Sequence, residues 1–248
     1  MSIPEPSISY VNESAILLSF IDPVPPFDAD APDAQITPDK QVRSDKTVEP
    51  DQALQIRICQ LAHALRNDPD SAPMLQEVAP GPGNLLLVMK RSTNTEQLLQ
   101  RAESLWQDCD QLSAESALIE IPVSYGGKNG PDLPHLSRHT GLAMEEIVTR
   151  HCAPEYLVQC LGFMAGFAYL GGLDPALAIP RKKTPAARIP AGAVAIGGIY
   201  TSIYPSATPG GWHIIGHTNI RMFDPQGDPP CLLRPGDRVR FVSVEALS

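Results

Sequence analysis

Leu54, Ile58, Leu61, Ala62 and Leu65 recur at helical spacing, which predicts one amphipathic helix from Asp51 to Asn67, ended by Asp68-Pro69. Before it, the short apolar run Ala15 to Phe20 follows a polar lead-in and predicts a buried strand. Met74 to Ala79 and Leu85 to Met89 read as two strands joined by the turn Pro80-Gly81-Pro82-Gly83-Asn84, a hairpin. Thr93 to Cys109 is predicted as a second helix, with Thr93 and Glu96 spaced as a capping box and Leu98, Ala102, Leu105 and Cys109 on one face. Ala117 to Val123 is strand-like again. The order strand, helix, strand, strand, helix, strand is that of a split βαβ unit, so residues 1–120 are expected to form a ferredoxin-like α+β domain. Six prolines and many acids between Asp22 and Pro50 predict an extended surface insertion rather than a packed element.

Beyond Tyr125 the pattern breaks into short segments punctuated by glycine. Asp132 to His139 and Met144 to Cys152 read as short helices joined at Thr140-Gly141, where glycine suits a left-handed cap. Tyr156 to Phe163, Gly192 to Tyr204, Gly211 to Thr218 and Arg238 to Val244 are strand candidates, the last fed by the turn Arg234-Pro235-Gly236-Asp237. Short strands with Gly and Pro corners predict a closed β-barrel over residues 121–248.

Charge and glycine divide the chain at the same place. Up to residue 125 there are 8 basic and 19 acidic residues; the remainder holds 11 and 9, with 16 of the 18 glycines and five of the six histidines. Two domains with different tasks are the simplest account. The overall charge of −9 argues against a nucleic-acid partner, whose phosphates would be repelled. No apolar run approaches the ~20 residues needed to cross a bilayer. The first residues lack the pattern of a secretory leader, so a cytoplasmic protein without a membrane partner is expected. Five widely spaced cysteines without a CxxC pair fit reduced, buried thiols.

The GxxxxGK[ST] phosphate loop and the GxGxxG, GxSxG and HExxH patterns are absent, which argues against a self-contained nucleotide hydrolase of a familiar kind. Three dense stretches carry the candidate chemistry: Gly162 to Pro175, Pro180 to Gly192 and Ile203 to Thr218. Glycine beside aromatics marks either a bend or a close approach of backbone to a ligand. Gly210, Gly211 and Trp212 are therefore either a barrel corner with a core tryptophan or a ligand wall. Arg181, Lys182, Lys183 and Arg188 form a basic cluster, either a solvated loop or a carboxylate or phosphate contact; Arg188, abutting a strand, is the candidate for that contact and the lysines read as exposed. His151 either caps its helix or acts as a general base. His213 and His217 share strand parity and should face one side of the barrel, where an inward pair would be a proton-transfer candidate. No histidine has the i, i+4 partner and acid of a helical zinc site, so no metal is expected.

At these stretches the chain resembles the kinase-inhibitor/5-oxoprolinase B-subunit family, also called allophanate hydrolase subunit 1, and the matching carboxyltransferase domain, subdomains C and D. The resemblance runs through Ser124-Tyr125-Gly126-Gly127, Gly130-Pro131-Asp132-Leu133, Glu145-Glu146, His151, Tyr156, GFMAGFAYLGGLDP, Ile189-Pro190-Ala191-Gly192, Pro209-Gly210-Gly211-Trp212 and Leu233-Arg234-Pro235-Gly236-Asp237. It covers residues 120 to 244. It implies a cyclophilin-like barrel in one member of a complex. The partners it implies are homologous C and metabolic A subunits, which join this one in ATP-dependent opening of 5-oxoproline to glutamate, with ATP bound by the complex rather than necessarily by this chain. His151 and Arg188 are the catalytic residues it suggests, with Tyr169, Gly210, Gly211, Trp212 and His213 lining a pocket for a small cyclic amide. Ala143, Ala165, Ser202 and His217 depart from the family pattern, which leaves substrate specificity open. Two other readings belong beside it: a regulatory protein that inhibits a sensor histidine kinase, and a subunit of a urea- or allophanate-type amide hydrolase. Prolyl isomerase activity, by fold analogy alone, has no residue motif behind it.

Overall fold

The computed structural model describes residues 5–21, 51–109 and 116–244. The expected insertion at 22–50 lies outside the described residues. Helix α1 (Gln52–Asn67) starts under the side chain of Asp51, which accepts the Ala53 amide, and turns Ile58, Leu61, Ala62 and Leu65 inward. Strands β1 (Ser7–Asn12), β2 (Ala15–Ser19), β3 (Leu75–Gly81) and β4 (Asn84–Met89) form an antiparallel sheet in the order β1-β2-β4-β3. Helix α2 (Thr95–Gln107) places Leu98, Ala102 and Leu105 in the same core, where Phe20 packs on Trp106 with ring centroids 4.4 Å apart. Its cap is Asn94, whose side chain accepts the Gln97 amide, and not Thr93. The Thr93 hydroxyl is already committed to the Met74 carbonyl at 2.9 Å.

The ferredoxin-like arrangement expected of the first half is not found in that form. The strand foreseen at 117–123 is β5 (Leu118–Tyr125), and it leaves the first sheet for the second half. There it runs parallel to β13 (Arg238–Ser243), with Leu118 through Val123 registered against Arg238 through Ser243. Ile121 and Val123 are fully buried there, in the core of the second half. The fourth strand of the first sheet is instead β1, an exposed edge. The boundary placed at residue 120 falls inside β5.

The second half closes a barrel in the order β10-β7-β6-β13-β5-β12-β9, using β6 (Tyr156–Leu161), β7 (Ala168–Gly171), β9 (Ala193–Gly197), β10 (Tyr200–Ile203) and β12 (His213–His217). Closure is a tight hairpin in which Tyr200 registers on Gly197. Tyr156, Val158, Leu170, Val194, Ile196, Ile203, Ile215, Val239 and Phe241 fill the interior. Helices α3 (Leu133–Thr140) and α4 (Met144–Cys152) belong to this half, and Gly141 between them takes the left-handed cap conformation, φ +73°. A two-stranded ribbon, β8 (Ala186–Ile189) with β11 (Thr208–Gly210), stands outside the barrel. Buried Gln55 joins the halves: its amide donates to the Gly81 and Gln159 carbonyls, both at 3.1 Å, and accepts the Gly83 amide at 2.9 Å. No helix among the described residues is long and apolar enough to cross a membrane.

Candidate functional site

Beside the β8–β11 ribbon the barrel wall opens into a cleft of about 640 Å³, lined on one side by aromatic rings and on the other by Pro180, Arg181 and Lys182. Phe167 is the hub of the aromatic side. It meets Tyr169, Tyr204 and Trp212 edge to face, with centroids 5.3, 5.3 and 5.4 Å away, the arrangement that opposes ring edges to ring faces. Burial of Phe167 and Tyr204 to 1% exposure and of Trp212 to 8% fixes those rings before any ligand arrives, while Tyr169 stays half-buried and available.

Two glycines make this wall possible. A Cβ on Gly197 would lie 2.5 Å from the Trp212 indole, and one on Gly210 would lie 2.5 Å from the Tyr204 hydroxyl. Gly210 thus makes room for a neighbouring side chain, whereas a Cβ on Gly211 would meet nothing nearer than 3.5 Å. The contribution of Gly211 is its carbonyl, which accepts the Lys182 amide at 2.7 Å and ties the basic segment to the tryptophan segment.

The basic segment is held from a third direction. Asp132, at the start of α3, accepts the Lys182 ammonium at 2.6 Å and the Ile214 amide at 2.7 Å through one oxygen. Lys182 is therefore a partly buried structural cation and not the exposed lysine expected from sequence. Arg181 is exposed, lines the cleft, and makes no ion pair among the described residues. Arg188, the basic residue singled out in the sequence, lies exposed on β8 beside the buried Ile189 and is not among the lining residues.

His213 sits next to the cleft with its Nε2 donating to the Pro180 carbonyl at 3.0 Å, so the lone pair is on Nδ1, which is buried and has no partner among the described residues. Its ring stacks on that of His135, 5.2 Å away, and burial pushes its pKa down. The shared face expected for His213 and His217 is overturned by a bulge: between Ile214 and Gly216 the register slips, so His213 stands opposite Ile196 and His217 opposite Ala193, on different sides of the sheet.

His151 is elsewhere. It neither caps α4 nor faces the cleft; it is fully buried in the barrel, stacked on Phe241 at 4.6 Å. The Thr201 hydroxyl donates to the Ala195 carbonyl at 3.0 Å and so accepts from His151 Nε2 at 2.9 Å, which leaves Nδ1 to accept from Tyr125 at 2.8 Å. Burial holds its pKa down to about 3, so the ring is neutral. Of the residues proposed from sequence the cleft gathers Tyr169, Gly210, Gly211 and Trp212, with His213 adjoining, and leaves out His151 and Arg188. Sequence reading passed over Asp132, Phe163, Phe167 and Gly197, and within the basic cluster it preferred Arg188 to Arg181. Asp132 and the two phenylalanines stood within the quoted motifs, without a signal for which would reach the cleft.

A closed barrel carrying two short helices, joined to an antiparallel sheet domain and opening on an aromatic and basic cleft, defines the class. The model of the carboxyltransferase domain, subdomain C and D, matches residues 36–233, and the chain belongs to that family. It is similar to the 5-oxoprolinase B subunit of Escherichia coli O157:H7, at 45% identity over 194 residues, 77% of this chain and 86% of that one. Among solved structures, TTHA0988 is 38% identical with a TM-score of 0.69; the match covers 79% of this chain and 38% of that one, so this chain spans well under half its length. The Kluyveromyces lactis urea carboxylase, 18% identical with a TM-score of 0.63 over 97% of this chain and 22% of its own, shares the fold.

Proposed function

We propose that this chain is the B subunit of an ATP-dependent 5-oxoprolinase and that it acts in complex with the A and C subunits, contributing the cleft to binding of the lactam. The observation that carries the reading is the meeting of Arg181 with the ring wall of Tyr169 and Trp212 in one cavity. 5-Oxoproline is a small flat ring with apolar faces and one carboxylate. Its faces suit aromatic side chains, and its carboxylate suits a guanidinium through charge-assisted hydrogen bonds. The overall conversion is 5-oxoproline, ATP and two waters to glutamate, ADP and phosphate. An amide carbonyl resists water until its oxygen is activated; phosphoryl transfer from ATP to that oxygen, attack of one water at the carbon, cleavage of the ring C–N bond with a proton passing to the nitrogen, and hydrolysis of the resulting acyl phosphate by a second water complete the balance. ATP binding belongs, in this proposal, to the assembled complex.

For such chemistry the cleft's task is orientation. Rigid rings packed edge to face hold the lactam plane, while Arg181 fixes which end of the ring faces the reacting partner, converting a collision into a positioned encounter. The test is ATP-dependent release of glutamate from 5-oxoproline by the co-expressed A and C subunits, with and without this chain. Glutamate formed only when this chain is present is the expected result. An intact, co-purifying complex that forms none refutes the reading.

A further inference from the structure

Phe163 stands in the turn between β6 and β7 with φ +66°, a left-handed conformation that bulky side chains rarely enter. The turn closes across it, since the Met164 amide donates to the Gly162 carbonyl at 2.7 Å, the three-residue turn with positive φ at its centre that is rare because it is strained. Hydrogen bonds on either side keep it so: the Phe167 amide donates to the Met164 carbonyl and the Gly162 amide to the Phe167 carbonyl, both at 3.1 Å. Core burial does not explain the phenylalanine. Its ring is 61% exposed, although the ring it abuts at 5.4 Å, Phe167, is 1% exposed. A strained backbone and a hydrated ring are both unfavourable, and the chain sets them together on the rim of the cleft. Residues held in this way cluster where ligands are gripped.

We infer that Phe163 is a ligand-binding residue at the open side of the cleft, its ring held over the rim to cover the apolar face of a small flat substrate whose carboxylate meets Arg181. This rests on the reading of the cleft as the 5-oxoproline site. The ring is the exposed end of the Phe167 cluster, so a ligand lying on Tyr169 and Trp212 would have an aromatic surface on its outer side as well. Contact of this kind is made equally in the ground and transition states and sets KM rather than kcat.

The experiment uses the assembled complex carrying Phe163→Ala, Phe163→Gly or Phe163→Tyr. The alanine and glycine variants should raise KM for 5-oxoproline roughly five- to tenfold with kcat within about twofold, and tyrosine should restore it. Thermal unfolding of the full chain supplies a second readout: glycine is at ease at this φ, so Phe163→Gly should melt above Phe163→Ala, the reverse of the usual order. Unchanged KM in Phe163→Ala, beside a wild-type complex that turns over, overturns the inference and leaves the function standing. A wild-type complex that makes no glutamate refutes the function instead. Loss of the partner proteins from the Phe163→Ala complex on gel filtration would overturn the inference by assigning the ring to an interface within the complex.

Discussion

Tyr125 donates its hydroxyl to His151 Nδ1 at 2.8 Å inside the barrel, and accepts in turn from the Cys152 thiol at 3.5 Å. The line continues through His151 Nε2 to Thr201 and the Ala195 carbonyl, so every polar atom of the imidazole is satisfied without water. A histidine in this setting is a packing and hydrogen-bonding element of the core. Its place in the family motif made it a catalytic candidate; its surroundings make it part of the scaffold that carries the cleft.

That arrangement fixes a pH dependence. The ring is neutral in the folded chain, with its pKa held to about 3, and titrates near 6.5 when unfolded. Below 6.5 the unfolded state binds a proton that the folded state does not, so stability falls as pH falls from about 6.5 toward 3 and has no such term above that window. His213, also shifted down, adds with the same sign. Thermal unfolding between pH 7 and 5 should show a loss approaching ~1.4 kcal/mol per pH unit from His151. The slope should be reduced in His151→Gln.

Replacing His151 by alanine removes the ring stacked on Phe241 and leaves Tyr125 and Thr201 each short of a partner, at a cost of roughly 2–4 kcal/mol. If the residue is scaffold, the variant complex assayed well below its melting temperature should keep kcat within about threefold. A loss of a thousandfold under those conditions would return His151 to catalysis.

Gly197 should tolerate no side chain. The methyl of Gly197→Ala would lie 2.5 Å from the Trp212 ring carbons, and the indole is boxed in by Phe167 and Tyr169 at 5.4 and 5.7 Å. Overpacking of this kind costs roughly 1–3 kcal/mol and moves the ring. The expected result is a lower Tm together with an altered tryptophan emission spectrum. Unchanged emission would mean that the wall yields elsewhere.

Much of this was legible in the sequence, and the reasons for what was not are local. Helix α1 declared itself because its apolar spacing and end signals agree, Asp51 at its start and Asp68-Pro69 at its end, and Gly141 marked the break between α3 and α4. The barrel announced itself through short β-branched runs between Gly and Pro corners. Strand β5 was assigned to the wrong sheet because alternation reports that Ile121 and Val123 are buried, not which neighbour buries them, and its partner β13 lies more than a hundred residues away. The paired facing of His213 and His217 failed on one extra residue, which alternation cannot show. At the cleft the glycine and aromatic segment was visible, but the choice of Arg188 over Arg181 turned on strand facing and on the ribbon β8–β11, whose strands are three and four residues long and left no pattern.

Arg181 and Arg188 can be separated by one pair of substitutions. Arg181 lines the cleft, whereas Arg188 points to water from β8. Arg181→Ala should raise KM for 5-oxoproline by roughly ten- to a hundredfold, the worth of a charge-assisted hydrogen bond to a carboxylate, and Arg188→Ala should change it less than about twofold. The opposite ranking in steady-state assays of the complex would move the carboxylate contact to the ribbon's outer face.

The last test concerns Asp132, which holds the basic segment without lining the cleft. Its Oδ2 accepts from both Lys182 Nζ and the Ile214 amide, so one carboxylate fastens α3, the Pro180–Lys182 segment and β12 together. Lys182 and Asp132 are 24% and 19% exposed, enough burial to limit screening by salt yet not enough to strand an unpaired ion in the core. Asp132→Asn keeps an oxygen for the amide but removes the charge, so the lysine loses its anchor while the backbone tie survives. The cleft should then loosen rather than collapse: KM should rise several-fold and Tm fall by only a few degrees, whereas Asp132→Ala, which loses both bonds, should fall further in Tm and rise further in KM. A matching pair of variants with equal KM and equal Tm would show that the Ile214 bond contributes nothing, and that the segment is held by the Lys182 amide on Gly211 and the Pro180 carbonyl on His213.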